Sequence, residues 1–328
     1  MKMPATLAVL TLTALPAMAQ DRPQFTVYAP DYFASDWGPG PNIKQGFEAV
    51  CDCTLVYVTG DVLPRILLEG ANTRADAVIG LNTDVMARAR QSGLFAPHGQ
   101  DVSDLSLPVE WTDDIFLPFN WGETAFVYDS TRLENPPTSF EDLLNAPDDL
   151  KIVIQDPRSS ISGLALLLWV KSIYGDDAPE AWARLAPKVL TVTQGWSESY
   201  GMFTEGEAHM VLSYTTSPAY HIVAEDDTTK RAAIFDEGHY FMTETAARIA
   251  GSDQPELGEA FMEYILSHDF QSMIAEANWS YPAKLDEAAW PQVFRDLPRP
   301  PRTIFLSEDE AEALRQPALN EWLTAFSR

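Results

Sequence analysis

The fold class is decided by residues 75–93, Ala-Asp-Ala-Val-Ile-Gly-Leu-Asn-Thr-Asp-Val-Met-Ala-Arg-Ala-Arg-Gln-Ser-Gly. Residues 75–81, apolar apart from Asp76, are typical of a strand that is covered on both faces of a sheet. It leads directly into a helix predicted over 83–92, and Gly93 ends that helix because glycine readily adopts the backbone conformation that closes a helix. A strand followed at once by a helix is the unit of parallel sheets.

The same alternation extends to both sides of this stretch. Upstream, strands are predicted over 24–28 and 54–58, with helices over 41–50 and 62–69. Downstream, a second series of alternating strands and helices occupies 139–224, and further helices are predicted over 255–267, 269–277, 308–314 and 317–326. This pattern predicts an α/β protein.

Two segments, 116–128 and 240–245, are expected to cross between two lobes joined by a hinge. We assign 20–122 plus 246–290 to lobe 1 and 123–245 to lobe 2, and we leave the lobe of the C-terminal helices, 291–328, open. Ligands of open α/β sheets bind beyond the carboxyl ends of the strands, so the cleft between the lobes is the expected binding site.

The N-terminus has the features of a secretion signal. Lys2 precedes an apolar stretch over 5–15, which is too short to span a bilayer, and Ala17-Met-Ala19 matches the small-residue cleavage pattern. We therefore expect residues 1–19 to be removed after Ala19, with an uncleaved anchor or a buried helix as the alternative.

The chain is strongly acidic, with 48 Asp and Glu against 22 Lys and Arg and a formal charge of −26. This charge argues against nucleic acid as a partner and would attract a cationic ligand. The alternative is that the overall charge only keeps the protein soluble.

The chain contains two cysteines, Cys51 and Cys53. In an oxidising compartment we expect them to form a local disulfide or to have another structural role. A metal site and a nucleophile are the alternatives, but two thiolates without a nearby histidine or second cysteine pair make a poor zinc site.

Signatures of catalysis are missing from the sequence. The five histidines show no H-E-x-x-H spacing, the Gly195–Ser199 segment lacks the second glycine of a G-x-S-x-G turn, and no glycine-rich phosphate loop is present. We predict no catalytic residue, resident metal or cofactor, although an enzyme stays open because catalytic triads assemble from residues distant in sequence.

Aromatic side chains stand beside polar ones at the ends of several predicted elements in both halves of the chain. A single tryptophan in such a place is more often part of the core, but several together favour a cleft that binds an organic cation between rings. The candidate rings are Trp37, Trp196, Tyr214, Tyr220 and Trp279, and the candidate nearby carboxylates are Asp36, Asp61, Asp156 and Glu198.

A hydroxyl-rich segment, 156–163, lies between a predicted strand and an apolar helix. A helix N-terminus with hydroxyl groups can bind an anion, which makes Ser160 a candidate contact. The alternative is ordinary N-capping by Ser160 or Ser162, which needs only one hydroxyl.

Long strings of the sequence resemble one known family. They are residues 33–41, 155–158, 163–169, 174–179, 192–198, 212–221, 237–240 and 278–279. Through them, and over nearly the whole mature chain, the sequence resembles the thiamine-binding periplasmic proteins, the solute receptors of thiamine ABC importers.

The resemblance implies a type II periplasmic binding fold, a periplasmic location and a cleft that holds thiamine or its phosphate esters. It also implies delivery to a membrane ABC permease with its ATPase, for which we expect a monomer. By position, Trp37, Trp196, Tyr220 and Trp279 resemble the aromatic residues of the family pocket. Ser160 and Tyr214 resemble groups near the hydroxyethyl or phosphate end of the ligand. Which phosphate ester is preferred, and which carboxylate faces the thiazolium ring, stay open.

The chain departs from the family after the first strand, where the family tends to have Tyr-Asp and this chain has Pro30-Asp31. One ring contact is therefore in question, and Tyr32 is the neighbouring side chain that could replace it.

Three rival functions remain at this point. A ferric-iron receptor would use adjacent tyrosines, but Tyr214 and Tyr220 are six residues apart. A polyamine receptor would use acids and rings without needing a serine-rich helix start. A thiamine-cleaving enzyme of the same fold would need Cys51 or Cys53 as its nucleophile, and both precede a strand and are expected at its amino end.

Overall fold

The computed structural model describes residues 22–326, so the expected cleavage after Ala19 lies outside the described residues. The strands are β1 (Gln24–Ala29), β2 (Thr54–Thr59), β3 (Ala77–Asn82), β4 (Phe95–Ala96), β5 (Leu117–Asp129), β6 (Ile152–Gln155), β7 (Val189–Thr193), β8 (Met210–Tyr214), β9 (Lys230–Ala233), β10 (His239–Ile249), β11 (Tyr281–Pro282) and β12 (Thr303–Ile304). The helices are α1 (Gly40–Val50), α2 (Val62–Glu69), α3 (Thr83–Gln91), α4 (Phe140–Asn145), α5 (Ile161–Tyr174), α6 (Ala178–Leu185), α7 (Trp196–Thr204), α8 (Pro218–Glu225), α9 (Pro255–Ile265), α10 (His268–Ala277), α11 (Gln292–Asp296) and α12 (Glu308–Phe326).

The main sheet has the strand order β2-β1-β3-β10-β5-β8-β6-β7. At one end β1 is parallel to β2 and β3, and at the other β6 is parallel to β7 and β8. The two parallel groups are joined by β10 and β5, which run antiparallel to each other and to their neighbours β3 and β8. This arrangement confirms the predicted α/β fold with two lobes.

The first parallel group is covered by apolar side chains on both faces. Phe25 and Val27 of β1 pack into a cluster with Phe47 and Phe261, whereas Tyr28 of the same strand belongs to a separate cluster on the opposite face. Successive side chains of a strand point to opposite faces, so helices must cover both faces to bury them. The nearly continuous burial of the residues of β1 and β3 follows from this.

β5 changes its partner in the middle of the strand. Up to Glu123 it pairs with β10, and from Thr124 onward it pairs with β8. The change falls next to the crossing predicted after residue 122. The exact lobe boundaries stay a prediction.

The C-terminal helices differ from the prediction. The sequence pattern predicted two helices separated before Pro317, but the structure has the single helix α12, with Pro317 inside it. Proline removes one helical hydrogen bond, and this loss is offset by the burial of Ala311, Ala318 and Trp322 in a core cluster with α5 and α6.

α12 contacts both halves of the fold. Arg90 of α3 donates from Nε to Glu308 Oε1 at 2.9 Å, and Lys171 of α5 pairs with Glu321 at 2.7 Å. Since α3 follows β3 and α5 follows β6, the helix bridges the two parallel groups rather than belonging to one of them.

Cys51 and Cys53 form a disulfide, which confirms the local bridge expected from the sequence. The bridge lies at the amino end of β2, and Cys53 is fully buried against the apolar cluster of Phe25 and Phe47. Among residues 22–326, no helix is both long and apolar enough to cross a lipid bilayer.

Candidate ligand-binding cleft

The carboxyl ends of the two parallel groups point toward each other. Asn82, the last residue of β3, pairs with Glu244 of β10, and Tyr214, the last residue of β8, pairs with Thr124 of β5. Both pairs lie near the middle of the two shared strands, where β5 changes partner. The loops that follow β1, β3, β6, β7 and β8 therefore line one common cleft, the position at which α/β sheets bind ligands.

Tyr220 and Trp279 meet across this cleft. Tyr220 lies on α8 after β8, and Trp279 directly follows the C-cap of α10, which packs on the first half. Their ring centroids are 5.3 Å apart with planes at 79°, an edge-to-face contact. Trp279 has φ of 49°, which a large side chain rarely adopts, so its backbone is held by its surroundings.

Trp196 begins α7 and is fixed by contacts on its edge and on one face. Its Nε1 donates to Ser213 Oγ at 2.9 Å, and its ring stacks on Tyr200 with centroids 4.6 Å apart. Tyr200 in turn bonds His221 Nε2 at 2.9 Å. The indole is thus held in one orientation at the carboxyl end of β7.

Ser160 and Tyr214 lie in the same half. Ser160 is the N-cap of α5, and its Oγ accepts a 3.4 Å hydrogen bond from the N–H of Gly163. Tyr214 shares a 2.5 Å hydrogen bond with Ser162 Oγ. Burial raises the pKa of Tyr214 to about 12, so its hydroxyl group stays neutral and can donate or accept. The capping role of Ser160 is therefore observed, and an anion contact stays a prediction.

Trp37, Asp36 and Asp61 are more open than the other candidates. Trp37 is 60% exposed, and both aspartates are exposed. Asp61 is the N-cap residue of α2, after the carboxyl end of β2. In the described residues no aromatic ring is in contact with Trp37, so the structure brings Tyr220 and Trp279 together and leaves Trp37 apart from them.

Comparisons with known proteins agree with this architecture. The family model described as bacterial extracellular solute-binding protein matches residues 72–313. The thiamine-binding periplasmic protein of Salmonella typhimurium is 45% identical over 326 residues, which is 98% of each chain. The chain belongs to the thiamine-binding periplasmic protein family.

Solved structures support the same assignment. A structure described as a periplasmic thiamin binding protein shares 45% identity and has a TM-score of 0.91, covering 96% of this chain and 100% of that one. The ferric binding protein from Campylobacter jejuni has a TM-score of 0.77 at 15% identity, covering 92% and 99%, and shares the fold alone.

Two buried acids of this family member were missed in the sequence. Asp84, near the start of α3, accepts from Tyr240 Oη at 2.7 Å and from Asn82 Nδ2 at 3.0 Å, and burial raises its pKa to about 6. Glu244 interrupts the buried strand β10, and burial raises its pKa to about 7. The signal that could have identified Glu244 is an acid inside 240–247, a segment of β10 whose other residues are apolar or bear a hydroxyl group.

At Pro30, where the chain departs from the family, the structure has a short turn that begins after β1 and contains Tyr32. Pro30 precedes a single turn over Asp31–Ala34, and its ring packs so close to Gly80 that a Cβ there would lie 2.6 Å from it. Tyr32, within the turn, donates its hydroxyl hydrogen to Glu244. Its ring is therefore anchored to the shared strand β10.

Proposed function

We propose that this protein is a periplasmic receptor that binds thiamine, and its phosphate esters, in the cleft between its two lobes. The observation that carries the proposal is the edge-to-face contact of Tyr220 and Trp279 across the cleft, in a chain 45% identical to a thiamine-binding periplasmic protein. The proposed lobes are 20–122 with 246–290, and 123–245.

The chemistry of thiamine suits these residues. Its aminopyrimidine is flat and its thiazolium carries a permanent positive charge, and both groups favour aromatic faces. Its hydroxyethyl or phosphate end would meet neutral hydroxyl groups and a helix N-terminus near Ser160 and Tyr214. The acidic surface would attract the cation, although screening by salt limits this effect to short distances.

Further parts of the proposal concern transport. The chain would be exported, processed after Ala19, act as a monomer and hand thiamine to an ABC permease with its ATPase. Ligand contacts from both lobes would stabilise a closed state, because only that state makes both sets of contacts.

The rival enzyme would need a free thiol near the ligand. Both cysteines are joined in a disulfide at the amino end of β2, whereas the cleft lies at the carboxyl ends of the strands. This arrangement supports a receptor without catalysis.

Titration calorimetry tests the proposal. The exported protein is stripped of ligand by unfolding and refolding, and is titrated with thiamine, its monophosphate and its diphosphate. We expect one-to-one binding at submicromolar Kd, with no turnover of thiamine in the same samples. A folded protein that binds none of the three, but binds ferric iron or a polyamine, would contradict the proposal.

A further inference from the structure

Glu244 lies at the floor of the cleft, between the loops that carry the candidate rings. It is 4% exposed and pairs in the sheet with Asn82 and Asn120, at the carboxyl end of β3. Its Oε1 lies close to Gly80, where an added Cβ would be 3.8 Å away.

Its carboxylate accepts hydrogen bonds from three different elements. Asn120 of β5 donates to Oε2 at 2.7 Å, and Asn278, the C-cap of α10, donates to the same oxygen at 2.6 Å. Tyr32, in the turn after β1, donates to Oε1. One carboxylate thus joins a shared strand, the turn that precedes Trp37 and the residue that precedes Trp279.

Within the part of the chain that the structure describes, the carboxylate has no cationic partner. None of the ion pairs formed within residues 22–326 includes Glu244. Tyr32 is the titratable group that bonds to it, while its other two donors, Asn120 and Asn278, are uncharged. Burial without a cation raises its pKa to about 7, so its charge changes near neutral pH.

We propose that Glu244 is a positioning residue for the ligand, which holds the Trp279 segment and the Tyr32 turn in the binding geometry only while its carboxylate is ionised. Hydrogen bonds to a charged acceptor are stronger than those to a neutral one. The ionised group therefore holds Asn278, and with it the left-handed backbone of Trp279, more firmly than the protonated group does. This inference rests on the proposed function, since thiamine is the ligand used to measure it.

Affinity for thiamine should then follow the ionised fraction of Glu244. With a pKa of about 7, that fraction falls about tenfold from pH 8 to pH 6, and the apparent Kd should rise by about the same factor. Two other titratable groups lie near residues of the cleft. His221 contacts the candidate ring of Tyr220, and Asp84 accepts a hydrogen bond from Tyr240. A pH profile of the wild type alone therefore does not assign the effect.

The Glu244→Gln variant tests whether Glu244 is the group that causes the pH dependence of the Kd. Glutamine has nearly the same shape and resembles the protonated carboxyl, so we expect a Kd that is independent of pH over this range and at least as high as that of the wild type at pH 6. Asn278→Ala should weaken binding by a similar factor, and it serves if the first variant does not fold. Asp76→Asn is the matched control, because Asp76 is a buried acid at the opposite end of β3 that accepts from Thr26 N and Ser252 Oγ. It should bind like the wild type.

A ligand-free measurement separates this inference from the proposed function. Hydrogen exchange of the peptide over 277–281, corrected for intrinsic rates, should show greater opening at pH 6 than at pH 8 in the wild type. In Glu244→Gln it should show the more open level at both pH values. Equal protection in all these samples would overturn the inference, whatever the protein binds. Protection that changes as expected in a protein that does not bind thiamine would instead overturn the proposed function alone.

A neutral analogue of thiamine, in which the thiazolium ring is replaced by a thiophene, tests whether Glu244 acts by positioning other residues or by attracting the charge of the ligand. A positioning residue affects both ligands, so Glu244→Gln should weaken both by the same factor. A loss confined to thiamine would show that Glu244 acts through the charge of the ligand and would overturn the positioning role.

Discussion

At the scale of single residues, the cleft depends on side chains whose partners lie far away in the sequence. Tyr220 contacts Trp279, and Trp196 is fixed by Ser213 and Tyr200. None of the four acids predicted to help the site, Asp36, Asp61, Asp156 and Glu198, is buried, whereas Glu244 and Asp84 are. The electrostatics of the cleft floor thus come from acids on a shared strand and at a helix start.

The Tyr220→Ala variant should bind thiamine more weakly, because it removes one of the two rings that meet across the cleft. A ring against an organic cation contributes about 1–2 kcal/mol, so Kd should rise about 5- to 30-fold by calorimetry. Val223→Ala, an exposed change on the same helix, is the control and should leave Kd unchanged. If Tyr220→Ala and Trp279→Ala both bind like the wild type, the assignment of the pocket is wrong.

The Asp84→Asn variant should reveal the cost of a buried charge. The pKa of Asp84 is raised in the folded state, so the folded protein binds the proton more tightly than the unfolded chain does. The protonated Asp84 carboxyl therefore contributes to the stability of the fold at low pH, and this contribution is lost as pH rises through about 6. The free energy of unfolding of the wild type minus that of the variant should fall by up to about 3 kcal/mol from pH 4 to pH 7. Urea unfolding at each pH measures it, and a constant difference would contradict the burial argument.

At the scale of elements, α12 shows how packing overrides a local signal. Pro317 disfavours a continuous helix, and the sequence pattern alone predicted a break there. The break does not occur, because Ala311 on one side and Trp322 on the other are both buried against the same core cluster. The helix then ties α3 to α5 through its charged ends.

Replacing Pro317 by alanine should therefore stabilise the protein. The change restores a helical hydrogen bond and removes a steric conflict, partly offset by greater freedom of the unfolded chain, for a net gain of about 1–2 kcal/mol. Thermal unfolding measures the change, with Gln316→Ala at the neighbouring exposed position as control. A lower melting temperature would indicate that the bend at Pro317 is itself required for packing.

At the scale of the whole molecule, two long strands connect the halves. β5 and β10 pass from one parallel group to the other, and the carboxyl ends of both groups face the same cleft. A small rotation about these strands would separate Tyr220 from Trp279, because the two rings lie on opposite sides of the cleft.

Thiamine should therefore make the ligand-free protein more compact. Small-angle X-ray scattering should show a smaller radius of gyration on addition of thiamine, because the ligand stabilises the closed arrangement of the lobes. Trp279→Ala at the same thiamine concentration should contract less. Binding without any change in the radius of gyration would contradict closure.

The sequence by itself determined the alternation of strands and helices and the family, and it favoured a local disulfide between Cys51 and Cys53 without deciding it. These features depend on neighbouring residues or on long matching strings, so they can be read along the chain. The candidate rings could be named from their positions at the ends of elements, and their binding role stays a prediction.

Only the tertiary structure decided which of these residues meet. The contact of Tyr220 with Trp279, the burial of Glu244 among Tyr32, Asn120 and Asn278, and the continuity of α12 all join segments that are far apart in sequence. Burial and hydrogen bonding depend on the packing of the whole chain, so the local sequence pattern around each residue does not predict its partners.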